Sequence, residues 1–332
     1  MNAHRALRRA PRAVTLLAVL VLLAVVPAGL VPAALAPAAA ETACPAGATL
    51  VVVAHPDDDL LFLEPDVTGD LQAGRCVRTV YLTTGDAGNG VGYWSGREAG
   101  VQAAYARMAG VTDRWTVGDA GVPGHPVRLV TLDARPQVSL AFLRLPDGGW
   151  DGNGTYEYGF QSLRGLWTGR LATLAALDGT TSYTRTGLVD ALRSMMVTFG
   201  ADQVWAMDWV GDIGGNDHPD HFVAGDVTRE AHASYAQAHT ARAYQGYGIA
   251  SRPQNLTAAQ RDAKRDTYFT YAAYDSLACK TVGSCTSEGV APWWSRRYVL
   301  ASEGPPVNQA PVARAGADQQ VLTGAQVTLD GS

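Results

Sequence analysis

The sequence predicts an open, mostly parallel α/β sheet with helices on both faces. Three features carry this: short, continuously apolar runs, helical stretches alternating with them, and polar loops that follow them abruptly. A β-branched apolar run with no alternation is how a strand buried on both faces reads, as in parallel sheets. The chain has 332 residues, 47% hydrophobic and 17% charged, enough for one large domain plus appendages. That apolar fraction excludes intrinsic disorder. The 36 Gly and 17 Pro are aperiodic, so the chain is loop-rich and not collagen-like. A formal charge of −5 gives no sign of the clustered basic surface that nucleic-acid binding needs.

The chain opens with Arg5, Arg8, Arg9 and Arg12, then an apolar run over 13–26, then small residues and prolines up to Ala40. A basic start, a short apolar stretch and an A-x-A site predict a secretory signal peptide over 1–40, and hence a secreted protein. The apolar run is shorter than the roughly 20 residues a membrane span needs, and Pro27 interrupts it, so no stable span is expected after cleavage. Arg8-Arg9 supports a twin-arginine signal only weakly. Glu41 stands where a lipoprotein would carry an aliphatic residue before Cys44. Losing the four arginines takes the formal charge from −5 to −9, an acidic exported chain.

The four cysteines, Cys44, Cys76, Cys279 and Cys285, all lie beyond the signal. An even count in an exported protein reads as two disulfides. Pairing Cys44 with Cys76 and Cys279 with Cys285 closes two local units. No C-x-x-C pair supports a cysteine zinc site.

A first strand over 49–54 ends in His55-Pro56-Asp57-Asp58-Asp59, and a second over 77–83 stops at a glycine-rich loop, 84–90. A helix is expected over 97–109 with Gly110 as its stop. Strands follow over 128–132 and 137–145, then a glycine-rich loop at 147–154, a helix over 186–199 and a strand over 203–207. The turn 211–215 leads into Asn216-Asp217-His218-Pro219-Asp220-His221. Helices are expected from Pro219 to about His239 and over 258–274. In such folds the ligand site lies beyond the carboxyl ends of the strands. Both His/Asp clusters fall there and could share one crevice.

From Glu303 the composition changes. Residues 303–311 read as a linker, and 312–332 resemble the opening of a PKD-type β-sandwich module. So short a segment cannot complete a sandwich of about 100 residues, so the chain is expected to stop inside it.

Three adjacent carboxylates at 57–59 repel one another and could be a solvated turn. Directly after a buried strand they instead call for a counterion, and His plus Asp offers ligands suited to zinc. With Pro219 as the first helical residue, His218 and His221 sit one turn apart on one face; they could also be a cap and a surface residue. Together the clusters favour a metal. Three protein ligands and an open position mark a catalytic zinc, which lowers the pKa of its water. A free carboxylate can take the proton and a cationic imidazole can stabilise an oxyanion.

The segment Ala54-His55-Pro56-Asp57-Asp58 resembles the AHPDD(E) motif of the PIG-L/LmbE-like de-N-acetylase family, and 214–221 its HPDH motif. The resemblance spans about 48–275 in motif order. It implies a Rossmann-like fold over a catalytic domain, 41–302, using Zn2+ (or another divalent ion) to remove acetyl groups from N-acetylglucosamine-type amino sugars or glycans. Carried over by position, His55, Asp58 and His221 are the metal ligands and Asp57 the general base. His218 stabilises the oxyanion or protonates the leaving amine, and Asp220 orients its ring. Asp59 replaces the family's usual Glu and is expected to affect packing. The loop Thr83-Thr84-Gly85-Asp86-Ala87-Gly88 resembles the family's glycine-rich loop. Arg97 is the substrate-pocket arginine, or a solvated residue at a helix start.

Among the eight tryptophans, Trp94 is best placed to stack on a sugar, with Trp150 and Trp209 behind it; Trp293 and Trp294 are expected to pack the C-terminal segment. Asn153 and Asn255 begin glycosylation sequons. Two other readings remain: a zinc hydrolase of another amide or ester, and a catalytically silent glycan-binding protein. A nucleotide-binding Rossmann enzyme is set aside, since carboxylates replace G-x-G-x-x-G after the first strand. Nothing in the sequence specifies an oligomeric state.

Overall fold

A computed structural model describes residues 44–213 and 215–304. The expected signal peptide, the PKD-like segment and most of the linker lie outside the described residues. Strand β1 (Ala48–Val53) is buried at every position, as its unbroken apolar run requires. It leads through the His55 turn into a buried π-helical turn, Asp59–Leu63, and helix α1 (Asp66–Gln72). Single π-helical turns often mark functional sites. After β2 (Cys76–Thr83) comes α2 (Val91–Met108), followed by β3 (Trp115–Asp119), β4 (Arg128–Leu132) and β5 (Val138–Leu145). A short α3 (Leu163–Trp167) and the ribbon β6 (Leu174–Ala175) and β7 (Ser182–Tyr183) precede α4 (Arg185–Phe199). The last part holds β8 (Gln203–Met207), α5 (Pro219–Ala233), β9 (Thr240–Tyr244), α6 (Ala258–Ala272), α7 (Val282–Ser287) and β10 (Val299–Glu303).

The main sheet runs β10-β9-β8-β1-β2-β5-β4-β3. Its five central strands, β9 to β5 in that order, are parallel, while β10, β4 and β3 pair antiparallel at the edges. The sheet is therefore open, mostly parallel and flanked by helices, as the sequence predicts. From β1 the chain winds toward β2 and β5, then crosses back to β8 and β9 on the other side. Right-handed crossovers place helices of the two halves on opposite faces, and α4 and α5 pack together over β1 and β8. The order reverses between β1 and β8, and a crevice opens beyond their carboxyl ends.

Three departures from the sequence reading have local causes. Helix α2 starts at Val91, six residues before the expected position, because Asp86 rather than a capping residue next to it accepts the Gly90 amide at 2.8 Å. Gly96 and Gly100, which make this stretch look like a loop, let α2 approach α6. A Cβ at either would fall within 2.8 Å of Tyr274 or Tyr271 atoms. Helix α5 ends at Ala233, not near His239, because the chain must turn to lay down β9. Glu303, expected in the linker, belongs to β10 and pairs with Arg229 at 3.0 Å and His232 at 3.3 Å.

Cys44 pairs with Cys76, fastening the start of the domain to β2, and Cys279 pairs with Cys285. No helix among the described residues is long and apolar enough to cross a membrane. Away from the crevice, Glu64 and Lys264 are buried beside a separate cavity of about 680 Å³. Glu64 accepts from Thr68 Oγ1 at 2.9 Å, and Lys264 Nζ donates to the Arg296 carbonyl at 2.8 Å. Burial pushes the Glu64 carboxyl up to about 8 and the Lys264 ammonium down to about 7.

The folded chain thus keeps a proton on Glu64 that the unfolded chain releases at ordinary carboxyl pH. This contribution to stability is complete below the unfolded pKa and is lost as pH rises toward about 8. Glu64→Gln cannot ionise, so its stability relative to the native chain should increase from pH 5 to pH 8 in urea denaturation. A constant difference across that range would refute the assignment.

Candidate active site

The turn after β1 carries three acids with three different fates. Asp58 is buried, and its Oδ2 accepts the His55 amide at 2.7 Å. Burial opposes its charge, but His221 and His55 hold it well below the usual carboxylate range. Asp59 is buried beneath the site, accepting from the Tyr105 hydroxyl at 2.7 Å and the Tyr81 hydroxyl at 2.9 Å. Burial lifts it to about 6 against these two bonds, so it is a packing residue, as expected. Asp57 has a φ of 137°, a region that side-chain-bearing residues adopt only under strain.

Arg97 holds that strained turn. Its guanidinium contacts Asp57 Oδ1 and donates to the Pro56 carbonyl, at 2.6 and 2.8 Å, and also bonds the Gly85 carbonyl. Its Nε donates to the Tyr271 hydroxyl at 2.6 Å, with Asp275 at 3.3 Å. Arg97 therefore borders the cavity and directs its nitrogens at the protein; it is buried, not a solvated helix start. Burial raises Asp57 to about 7, the neighbouring Arg97 moderating the rise.

Helix α5 supplies the other half. His218 is its N-cap and Pro219 its first residue, so His218 and His221 face the β1 turn together. His221 Nδ1 is 2.8 Å from Asp217 Oδ1, which leaves Nε2 to face Asp58 Oδ1 at 3.0 Å without hydrogen-bond geometry. Burial opposes the His221 cation, yet Asp58 and Asp217 lift it to about 9. His55, His218 and His221 crowd together, with ring centroids 4.5 to 5.5 Å apart.

The Asp220 carboxylate does not orient the His218 ring directly. Its Oδ2 accepts the Gly148 amide at 2.8 Å and lies 3.6 Å from His55 Nε2, but 4.0 Å from His218 Nδ1. The Asp220 main-chain amide does the orienting, donating to His218 Nδ1 at 3.2 Å. That bond puts the proton of a neutral ring on Nε2. Burial and the neighbouring His55 depress His218 to about 4, which favours a neutral ring over the cationic imidazole expected.

Two overlapping sets of donors converge: His55, Asp58 and His221, and His55, Asp147, His218 and Asp220. In each set the candidate ligand atoms lie within 4.8 Å of one another. Asp147 was missed by the sequence reading. It follows β5 as the other acids follow β1 and β8, and that position was the available signal. Its carboxylate accepts the Gly149 and Ala87 amides and faces His55 Nε2 at 3.9 Å.

The crevice is a cavity of about 380 Å³, with Tyr93, Tyr247, Tyr268, Asp275 and Trp293 among its walls. None of these was singled out as a site residue, since they come from α2 and from segments after α5. Trp94 faces the other way, buried beneath the Arg144 guanidinium at 4.7 Å. Its neighbour Tyr93 takes the wall because successive helical residues point about 100° apart. Trp209 is also buried, against His232. Trp150 is 80% exposed and reaches the rim. Trp294 packs as expected, but Trp293 lines the cavity.

The fold and site define a mostly parallel α/β protein with a buried His/Asp cluster at its topological switch, a donor set that could hold a cation. Within that class the chain belongs to the PIG-L family: the family described as GlcNAc-PI de-N-acetylase matches residues 50–232. Membership supports a de-N-acetylase, a hydrolase of N-acyl bonds. The chain is similar to the conserved protein TT1542 from Thermus thermophilus at 19% identity, over 80% of this chain and 99% of that one, with a TM-score of 0.41. It is similar to N,N'-diacetylchitobiose deacetylase from Pyrococcus horikoshii at 14% identity, over 78% and 84%, with a TM-score of 0.44. It is also similar to the 4-carboxy-2-hydroxymuconate hydratase GalB from Pseudomonas putida at 14% identity, over 82% and 100%, with a TM-score of 0.39. No curated protein matches the sequence.

Outer partners that fix a ligating imidazole are worth roughly 10–100-fold in metal affinity. If His221 ligates a divalent cation, Asp217→Ala weakens binding of that cation by about that factor in isothermal titration, with an unchanged circular dichroism spectrum. Unaltered affinity would show that Asp217 does not support a ligand.

Proposed function

We propose that the protein is an exported, zinc-dependent hydrolase that removes N-acetyl groups from N-acetylglucosamine-type amino sugars, free or within a glycan. The observation that carries this is the convergence of His55, Asp58 and His221 beside Asp57. His55 Nε2 and His221 Nε2 are buried without hydrogen-bond partners, an arrangement that costs free energy unless something binds there. Two imidazoles and a carboxylate suit zinc, and three protein ligands leave room for chemistry. A bound divalent cation supplies Lewis acidity, lowering the pKa of water and polarising an acyl oxygen.

The chain's own residues provide the rest. Asp57, raised to about 7, is suited to take a proton from the attacking water near neutral pH. The His218 Nε2–H is suited to donate to the oxyanion as the acetyl carbon becomes tetrahedral. As the C–N bond breaks, the proton held by Asp57 passes to the leaving nitrogen, giving acetate and a free amine. Export is supported by the basic and apolar start of the chain and by two disulfides, which persist in oxidising compartments.

The test is acetate release by the oxidised, zinc-loaded chain from N-acetylglucosamine, chitooligosaccharides and peptidoglycan fragments, with and without chelator. Chelator-sensitive release is expected; no release from the whole panel would overturn the substrate class, and chelator-resistant release the metal. Asp57→Asn should retain bound zinc and lose roughly 10²–10⁴-fold in turnover. Undiminished turnover would remove Asp57 from the role of base.

A further inference from the structure

A second cavity, of about 480 Å³, lies beside the catalytic one and shares two residues with it, Trp150 and Tyr247. The shared wall is aromatic. The Trp150 ring lies 6.2 Å from Tyr247 with 18° between planes, and Tyr247 lies 5.0 Å from Trp293 at 9°. Trp293 is fixed by its Nε1, which donates to the Tyr247 carbonyl at 3.2 Å. The row thus begins inside the catalytic cavity and ends at Trp150, a large apolar side chain left 80% exposed. An exposed tryptophan of this kind at a site's mouth is informative, whereas a scattered exposed Leu is not.

The far side of the row is polar. Asp151, Arg164 and Asn216 line the second cavity. Arg164 is held by the Asp151 carbonyl at 3.0 Å and Asn153 Oδ1 at 3.2 Å, while its Nε is buried without a partner. Flat aromatic faces flanked by planar carboxylate, amide and guanidinium groups match a pyranose. That ring presents C–H bonds on its faces and hydroxyls around its edge. A lipid chain would leave these polar groups desolvated and unpaired.

We propose that the second cavity is a subsite for a neighbouring sugar of the substrate, with Trp150 as its stacking platform and Arg164 as a hydroxyl ligand. The substrate class is then a chain of at least two sugar units, with one residue at the Asp57 turn and the next across the Trp150–Tyr247 wall. This rests on the deacetylase reading for the identity of the first residue, but its binding prediction does not require turnover.

The test has two arms on the full zinc-loaded chain. Acetate release is compared between N-acetylglucosamine, its β-linked dimer to tetramer, and octyl N-acetylglucosaminide. We expect kcat/KM to rise at least 10-fold from monomer to oligomer, and this ratio to fall at least 5-fold in Trp150→Ala and in Arg164→Met. Equal kcat/KM for monomer and oligomer, or a gain with the octyl glycoside alone, would overturn the subsite. In the second arm, the tetramer is titrated calorimetrically into Asp57→Asn with and without Trp150→Ala. Binding weakened at least 5-fold by Trp150→Ala upholds the subsite even if no acetate is released, in which case the deacetylase reading alone fails. Absent binding, or binding indifferent to Trp150, overturns it.

Discussion

Arg97 sits where four segments meet, and the candidate site is held in register by its guanidinium. It bonds the carbonyl of Pro56 after β1 and that of Gly85 after β2, and it contacts Tyr271 of α6 and Asp275 just beyond it. It also contacts Asp57, the one residue of the β1 turn in a conformation that only glycine adopts freely. Two carboxylates, Asp57 and Asp275, lean on this one cation. Removing it would leave Asp57 without its ion-pair partner and Asp275 with only its hydrogen bonds from Tyr271, Leu277 and Ala278. The same contact tunes Asp57: burial alone would raise its carboxyl further, and the guanidinium moderates that rise. Strain, charge and position of the proposed base thus depend on one side chain contributed by α2.

His221 and His218 show how one small volume gives similar side chains different properties. His221 is flanked by Asp58 and Asp217 and is driven toward the cation despite burial. His218, from the same helix turn, has a main-chain amide on its Nδ1, and burial with the neighbouring His55 and His221 drives it toward the neutral form against Asp220 and Asp147. The difference follows from helix geometry. As N-cap, His218 uses its ring to satisfy an orphan amide of the first turn, whereas His221, three residues on, points into the acids. A candidate ligand and a candidate hydrogen-bond donor are thereby separated within four residues of sequence.

The strands at the centre of the sheet were legible because burial on both faces forces an unmistakable composition, as in β1 and β8. Strands β3, β9 and β10 were not. In β3 the sequence WTVGD is mostly exposed, and in β9 the sequence TARAY alternates small and polar residues, so neither carries a continuous apolar run. The site divides in the same way. His55, Asp57, Asp58, His218 and His221 stood out as two acid-and-histidine clusters at strand ends, and their roles were implied by the resemblance of those clusters to family motifs. Asp147 stands alone beside Pro146 and glycines, where an isolated acid reads as a turn residue. Tyr247 and Trp293 could not be placed, since their position depends on how the chain returns over the crevice after β9. The misplacement of Trp94 has a related cause: with the helix start set six residues late, the phase of that turn was unspecified.

The family match ends at residue 232, before part of the crevice wall is reached. The candidate metal donors, from His55 through Asp147 to His221, lie before it. Tyr247, Tyr268, Asp275 and Trp293, which close the cavity from the other side, lie after it. The second disulfide belongs to this later wall, with Cys279 itself facing the cavity. A hydrolytic centre needs a fixed set of donors at fixed separations, and the parallel sheet supplies these from the ends of neighbouring strands. Discrimination between acyl substrates needs only a shaped wall, which can be rebuilt without disturbing the donors. Part of the wall that faces Asp57 thus comes from the C-terminal segment, while the candidate donors come from the strand ends.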